Sequence, residues 1–296
     1  MSGFHEIKAH IASVRSIQQI TRAMYLISAT RAKKAKVQLE NTMPYFNRVA
    51  ITLSEILAAG YVDTYYLDRR NLDYTKRRPG KQLKKLYLVI AGDKGMAGAY
   101  NHNIVSLLES EVDKERSTLM VVGFMGRNII GGLGYDMDQE FRYPVMDPSL
   151  YRARDISEIL IEKYLSGEYY QVDIVFTEMI SSMKQSPVIV QLLPLKPSDL
   201  LKCFEQGVLS HINIVKYEPS PRVVFDQLAP HYIKGVVYGA LVEAFSSEQQ
   251  ARMIAMDESN RSADELISSL SLLSNRARQA SITQEISEIV GGMPEL

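Results

Sequence analysis

Leu266-Ile-Ser-Ser-Leu270-Ser-Leu-Leu273-Ser-Asn-Arg-Ala277-Arg-Gln-Ala280 decides the fold. Its apolar positions Leu266, Leu270, Leu273, Ala277 and Ala280 advance by alternating steps of four and three, the spacing of a heptad seam. The late alanines let a partner helix approach closely, and the stripe then changes phase to Ile282, Ile286 and Ile289. No proline lies between Pro230 and Pro294. A single helix over that run of about 60 residues reaches roughly 90 Å, longer than any small domain. Gly235 and Gly239 weaken its first part, so the helix is expected from near Ala240 onward.

A helix that long needs something to pack on, and the other end of the chain offers it. Ile7, Ile11, Val14, Ile17, Ile20, Met24 and Ile27 form one helical stripe, and no proline precedes Pro44. Charge points the same way. Residues 1–40 carry seven Lys/Arg against Glu6 and Glu40, whereas Glu243 to the end carries nine acids against four arginines. A basic head and an acidic tail suggest ends that pair with each other, or that each meet a charged partner.

The remaining prolines punctuate a middle of short elements. Leu86–Ala91 and Thr118–Val122 are buried strands, Asn103–Asp113 and Ile156–Leu165 are helices, and Val172–Thr177 and Val188–Leu193 are further strands. Strands alternating with helices imply parallel pairing through right-handed crossovers. The expected fold is therefore α/β: a long coiled coil of the N- and C-terminal helices plus a central Rossmann-like α/β domain. The expected bounds are 1–60 for the N-terminal helix, 61–85 for a connecting surface excursion, 86–225 for the α/β domain and 226–296 for the C-terminal helix. The excursion is strongly basic, with eight Lys/Arg from Arg69 to Lys85 opposed only by Asp73.

Composition closes off several classes. With 34 Lys+Arg against 34 Asp+Glu and 46% hydrophobic residues, the 296-residue chain is neither disordered throughout nor a general nucleic-acid binder. The single cysteine, Cys203, allows no internal disulfide and no cysteine-based zinc site. The uncharged stretches, such as Gln185–Leu195, are about half of the roughly 20 residues that a spanning helix needs. The start shows no basic stretch followed by an apolar core, so no signal peptide is expected.

One segment looks chemical. Gly92-Asp-Lys-Gly-Met-Ala-Gly-Ala-Tyr-Asn101 is a glycine-rich turn between a buried strand and a helix, where phosphate-binding loops occur. Its glycines stand at the first, fourth and seventh positions, not the first, third and sixth of a dinucleotide fingerprint, and no Lys-Ser/Thr follows. A tight packing turn is the simpler reading. His5, His10, His102, His211 and His231 are scattered, and neither a serine-nucleophile elbow nor a reason to activate Cys203 is present. No catalytic residue, cofactor or metal is expected.

The two ends are more specific. Gln19-Ile-Thr-Arg-Ala-Met24 with Ser28-Ala-Thr-Arg-Ala-Lys-Lys34, and Asn275-Arg-Ala-Arg-Gln-Ala-Ser-Ile-Thr-Gln-Glu-Ile-Ser-Glu-Ile-Val-Gly291, resemble the terminal helices of the gamma subunits of F-type ATP synthases. Gly92-Asp-Lys-Gly and Gly98-Ala-Tyr-Asn101 resemble that family's central turn. Tyr217-Glu-Pro-Ser-Pro221, Leu228-Ala-Pro230 and Ala251-Arg-Met-Ile-Ala-Met256 follow in the family's order.

The resemblance implies an antiparallel coiled coil that turns inside a ring of alpha and beta subunits, with its α/β domain against the epsilon subunit and the membrane rotor ring of c subunits. The chain would then be a non-catalytic shaft, peripheral to the cytoplasmic face of a bacterial cell membrane. It would serve ATP synthesis and ion transport, with nucleotides held by other subunits and no nucleic acid involved. By the same resemblance Arg278 and Gln279 contact beta-subunit loops, Thr283 and Glu285 lie at the bearing, and Thr21, Arg22 and Met24 form the facing stretch. Lys94 follows the central turn, near the beta subunits' acidic lever, and an apolar tip spans Ile286–Met293. Departures from the family's usual residues occur at Tyr25, Leu26, Ala97, Ser259-Asn-Arg-Ser262 and Ser274. Two other classes compete: a coiled-coil scaffold without a rotary role, and a nucleotide-binding α/β protein using Gly92–Asn101.

Overall fold

A computed structural model describes residues 2–60, 62–67, 84–181, 184–203 and 217–291. In order these form α1 (Ser2–Ala59), β1 (Lys84–Ile90), α2 (Tyr100–Glu111), β2 (Ser117–Val122), α3 (Phe124–Gly131), β3 (Asp136–Met137), α4 (Leu150–Leu165), β4 (Tyr169–Met179), β5 (Gln185–Leu193), α5 (Pro197–Cys203) and α6 (Pro221–Gly291). Two compact units result. Residues 1–30 and 252–296 form a helix-pair unit, and residues 31–251 form an α/β unit, so the division falls inside both α1 and α6.

The α/β unit is a five-stranded sheet of order β3-β2-β1-β4-β5. β1 pairs in parallel with both β2 and β4, and β2 with β3. The alternation of β1 divides the core. Leu86, Leu88 and Ile90 face α4 and the α/β-unit parts of α1 and α6, while Tyr87, Val89 and Ala91 face α2 and α3. Both faces are covered, as a parallel sheet requires.

Three local expectations are corrected. β5 pairs antiparallel with β4, because the short link between Met179 and Gln185 permits a hairpin but no crossover. α6 begins at Pro221 and runs unbroken through Pro230, Gly235 and Gly239. A Cβ on Gly235 would fall 2.5 Å from the Phe46 ring, so that glycine is the condition for close packing of α1 on α6, not a helix weakness. The third concerns the segment after α1. Val62, Thr64, Tyr66 and Leu67 are buried, and Leu195 N donates to Tyr66 O at 2.6 Å, so the described start of the connecting excursion belongs to the core. Residues 68–83 of that excursion lie outside the described residues, as do His211 and the tip beyond Gly291.

Candidate subunit interface

In the helix-pair unit α1 and α6 run antiparallel, as their cross-links show. Gln18 Nε2 donates to Asp264 Oδ1 at 2.7 Å and to Asn260 O at 3.3 Å, and Thr21 Oγ1 donates to Asn260 Oδ1 at 2.5 Å. Ile11, Val14, Ala263 and Leu270 form an apolar cluster, with Ile7 and Ile267 packed against it.

The heptad period holds in both helices, but the phase does not. On α1 the buried side chains are Ile11, Val14, Gln18, Thr21 and Ser28, while Ile17, Ile20 and Ile27 are exposed. On α6 they are Arg252, Met256, Ala263, Leu270 and Ser274, while Leu266 and Leu273 are exposed. The seam therefore lies one residue C-terminal of the most apolar stripe over much of its length. Reading apolar character as burial misses this, because three serine, threonine or glutamine side chains of α1 occupy the inner face.

The expected contact residues fall into three groups. Thr21 is buried, its hydroxyl engaged with Asn260 and with the carbonyls of Ile17 and Gln18. Arg22 Nη2 stands 3.9 Å from Asp264 Oδ2, both side chains well exposed, and Met24 is half-buried. Arg278, Gln279, Thr283 and Glu285 are all exposed on α6. Thr283 Oγ1 donates back to Gln279 O at 2.9 Å, and Ser281 Oγ reaches Glu285 Oε1 at 3.5 Å. A spacing of seven puts Arg278 and Glu285 on one face with Ile282 between them, and Gln279 and Thr283 continue to Ile286 on the adjoining face. Ile282 and Ile286 are exposed, so this end presents alternating charged, polar and apolar groups to solvent. Gln18 and Asn260, which bind the pair together, carried no family motif; their only signal is that Gln18 continues the strict heptad of Ile7, Ile11 and Val14.

Lys94 belongs to the α/β unit, exposed in the glycine turn. Side chains of the turn bond within the unit. Gly92 N donates to Asn101 Oδ1 at 2.8 Å, and the Asp93 carboxylate accepts Phe124 N at 3.1 Å and Met146 N at 2.6 Å. The turn's first N–H is thus held by the chain's own Asn101, and the Asp93 carboxylate ties the turn to the start of α3 and to Met146. α6 fills the rest of the crevice at the carboxyl ends of β1 and β4, where doubly wound folds bind ligands. Met179 N donates to Glu243 Oε1, Ser247 Oγ to Thr177 O and Tyr100 OH to Ala244 O, each at about 3 Å. Glu248 is buried, its carboxyl carbon 3.3 Å from where a Cβ on Gly92 would lie.

Two titrations mark this unit. Burial pushes the Asp173 carboxyl above its ordinary value, against Gln171 and Lys85. Burial and the neighbouring Asp173 push the Tyr87 phenol up to about 12. Among the described residues no group of three or more His, Cys, Asp or Glu side chains is placed to hold a metal, and no helix is long and apolar enough to cross a membrane.

The ATP synthase family model matches residues 3–296. The chain is 46% identical to the ATP synthase gamma chain of Ruminiclostridium cellulolyticum over 297 residues, covering 100% of this chain and 99% of the relative. The chain belongs to the ATP synthase gamma chain family. Another relative, the gamma chain of Acetobacterium woodii described as sodium ion specific, is 34% identical over 305 residues, with 98% of each chain covered. The fold of the family extends much further in sequence. The rotor of the Euglena gracilis mitochondrial ATP synthase in rotational state 1 includes a chain of 17% identity that aligns at a TM-score of 0.62, covering 95% of this chain and 99% of that one. A chain of the Tetrahymena thermophila mitochondrial central stalk and c-ring assembly aligns at 0.52 with 18% identity, covering 81% and 98%.

Proposed function

We infer that this chain is the central rotor shaft of a rotary ATP synthase, a non-catalytic subunit that couples ion flow through a membrane rotor to ATP synthesis and hydrolysis in an alpha/beta ring. Full-length identity with gamma chains carries the reading. The helix pair adds physical support, since it exposes isoleucines and leucines along a slim two-helix body that cannot cover them itself. A shaft drives its ring by touching the catalytic subunits unequally, for equal contact with every site biases none of them. The α/β unit, its crevice filled by α6, is suited to holding neighbours such as epsilon and the c-ring.

We further propose that Arg278, Gln279, Thr283 and Glu285 are contact residues toward beta subunits, with Lys94 as a basic contact for an acidic lever. Thr21, buried in the pair, and Arg22 and Met24, exposed and half-buried on α1, form the facing contact stretch. The bacterial relatives favour a position on the cytoplasmic face of the cell membrane, held there through the rotor ring.

Arg278 gives the test. Among the described residues it has no ion-pair partner, and a carboxylate on the ring would make a charge-assisted contact of about 1.5–3 kcal/mol. In a complex reconstituted with alpha and beta subunits, Arg278→Ala lowers ATP turnover or assembly while the chain's helicity is unchanged. Arg278→Lys restores only part, since an ammonium lacks the planar fork. Turnover and assembly unchanged in both variants would remove Arg278 from the interface.

A further inference from the structure

The helix pair buries polar groups where apolar ones were available one residue away. Gln18, Thr21 and Ser28 are 7%, 8% and 2% exposed, whereas their immediate predecessors Ile17, Ile20 and Ile27 are 54%, 58% and 50% exposed. One residue is about 100° of helix rotation, so the two sets lie on neighbouring faces. Up to Val14 the inner face of α1 is also its apolar face, as the cluster of Ile11 and Val14 with Ala263 and Leu270 shows. From residue 17 the two diverge, and hydrophobic burial alone would turn the isoleucines inward. Something with direction must oppose that. The cross-helix bonds do: Gln18 reaches both Asn260 O and Asp264 Oδ1, and Thr21 reaches Asn260 Oδ1. A hydroxyl has one proton, and the shortest of its three acceptor distances, 2.5 Å against 3.0 and 3.3 Å, directs it across the pair.

We propose that the layer of Gln18, Thr21, Asn260 and Asp264 is a facing lock. It dictates which side of each helix turns inward, and so keeps Ile17, Ile20 and Ile27 of α1 and Leu266 of α6 directed outward, where an external surface can use them. Its α1 members Gln18 and Thr21 are buried, while Asn260 is half-buried and Asp264 lies at the exposed edge; a buried polar residue in a coiled coil commonly fixes register and orientation at some cost in stability, and here the quantity fixed is the roll of α1. The inference concerns the chain by itself, and its readout involves no nucleotide and no ring; its failure and that of the rotary reading are therefore distinguishable.

Disulfide trapping in the full-length chain with Cys203→Ser tests it. Val14→Cys with Ile267→Cys reports the observed facing, since both residues belong to the apolar cluster. Ile17→Cys with Leu266→Cys reports a facing rolled by one residue. Non-reducing electrophoresis separates intrachain from interchain products, so self-association does not confuse the count. With the lock intact the first pair cross-links and the second does not. Gln18→Leu with Asn260→Leu shifts the ratio of products toward the outer pair by about tenfold, the effect of losing one to two net hydrogen bonds. Thr21→Val, which keeps the shape and removes only the hydroxyl, shifts it less in the same direction. An unchanged ratio in the double variant with helicity retained overturns the proposal and assigns the facing to the Ile11–Leu270 cluster. Should the double variant lose its helicity, the ratio in Thr21→Val decides: a shift supports the lock, and no shift overturns it.

Discussion

The α/β unit and the helix-pair unit draw on the same apolar residues and dispose of them in opposite ways. In the first, Leu86, Leu88, Val89 and Ile90 are fully buried between two helical layers. In the second, Gln18, Thr21, Ser28 and Ser274 lie inside while Ile17, Ile20, Leu26, Leu272 and Leu273 face water. The first unit has a core on both faces of its sheet. The second leaves its large apolar groups exposed along the pair, a surface suited to a partner.

That contrast is sharpened most by one substitution made in each unit. Leu88→Ala leaves a cavity in a core that cannot collapse around it and costs about 2–5 kcal/mol, measured by denaturant unfolding. Leu273→Ala changes the stability of the free chain by no more than about 0.5 kcal/mol, yet weakens binding to the ring. Equal stability losses at the two positions would break the distinction. Next in size is Asp93→Ala, which strips an acceptor from two backbone N–H groups and costs about 1–3 kcal/mol for each one left unsatisfied. Its unfolding transition moves while helix-pair cross-linking does not.

A smaller and pH-dependent effect attaches to Asp173. Burial raises its pKa in the folded chain above the ordinary 3.8, so between those two values the folded state binds more proton than the unfolded state. Stability contributed by this group therefore falls as pH rises through that window and stays lost at neutral pH. Asp173→Asn, which keeps the shape and removes the charge, stabilises the chain most at neutral pH, with the gain fading as pH falls through the raised pKa toward 3.8 and absent below it. A gain that grows on acidification would reverse the sign and refute the assignment. The smallest effect belongs to Arg22→Ala. Its ion pair with Asp264 spans 3.9 Å between exposed side chains and contributes less than about 0.5 kcal/mol, so thermal unfolding barely moves.

What could be read in advance follows the same division. β1 and β2 are apolar runs buried on both faces, and such runs announce themselves without context. The 71 residues of α6 were legible only in part. Gly235 and Gly239 weigh against a helix in isolation, and nothing local says that Phe46 needs the absent side chain. α3 is not legible in the sequence because Phe124–Gly131 is short and its glycines look like loop; Gly126 is there because a Cβ would strike Ala91 at 2.1 Å. In the helix pair the motif residues Arg278, Gln279, Thr283 and Glu285 are recognisable from the sequence and are exposed, whereas the inward phase of the seam is not legible there. Phase is set by hydrogen bonds between residues more than 200 apart in sequence, Gln18 with Asn260 and Asp264, and periodicity carries no record of them.

The central claim is that this chain turns inside the ring while the ring reacts. It is tested most directly by immobilising a reconstituted alpha/beta complex and attaching a probe to the α/β unit through Tyr151→Cys, an exposed position on α4, with Cys203→Ser. The account predicts that the probe rotates in one direction while ATP is hydrolysed and stops when it is exhausted. Hydrolysis by an intact complex containing the labelled chain, with the probe stationary, would contradict it.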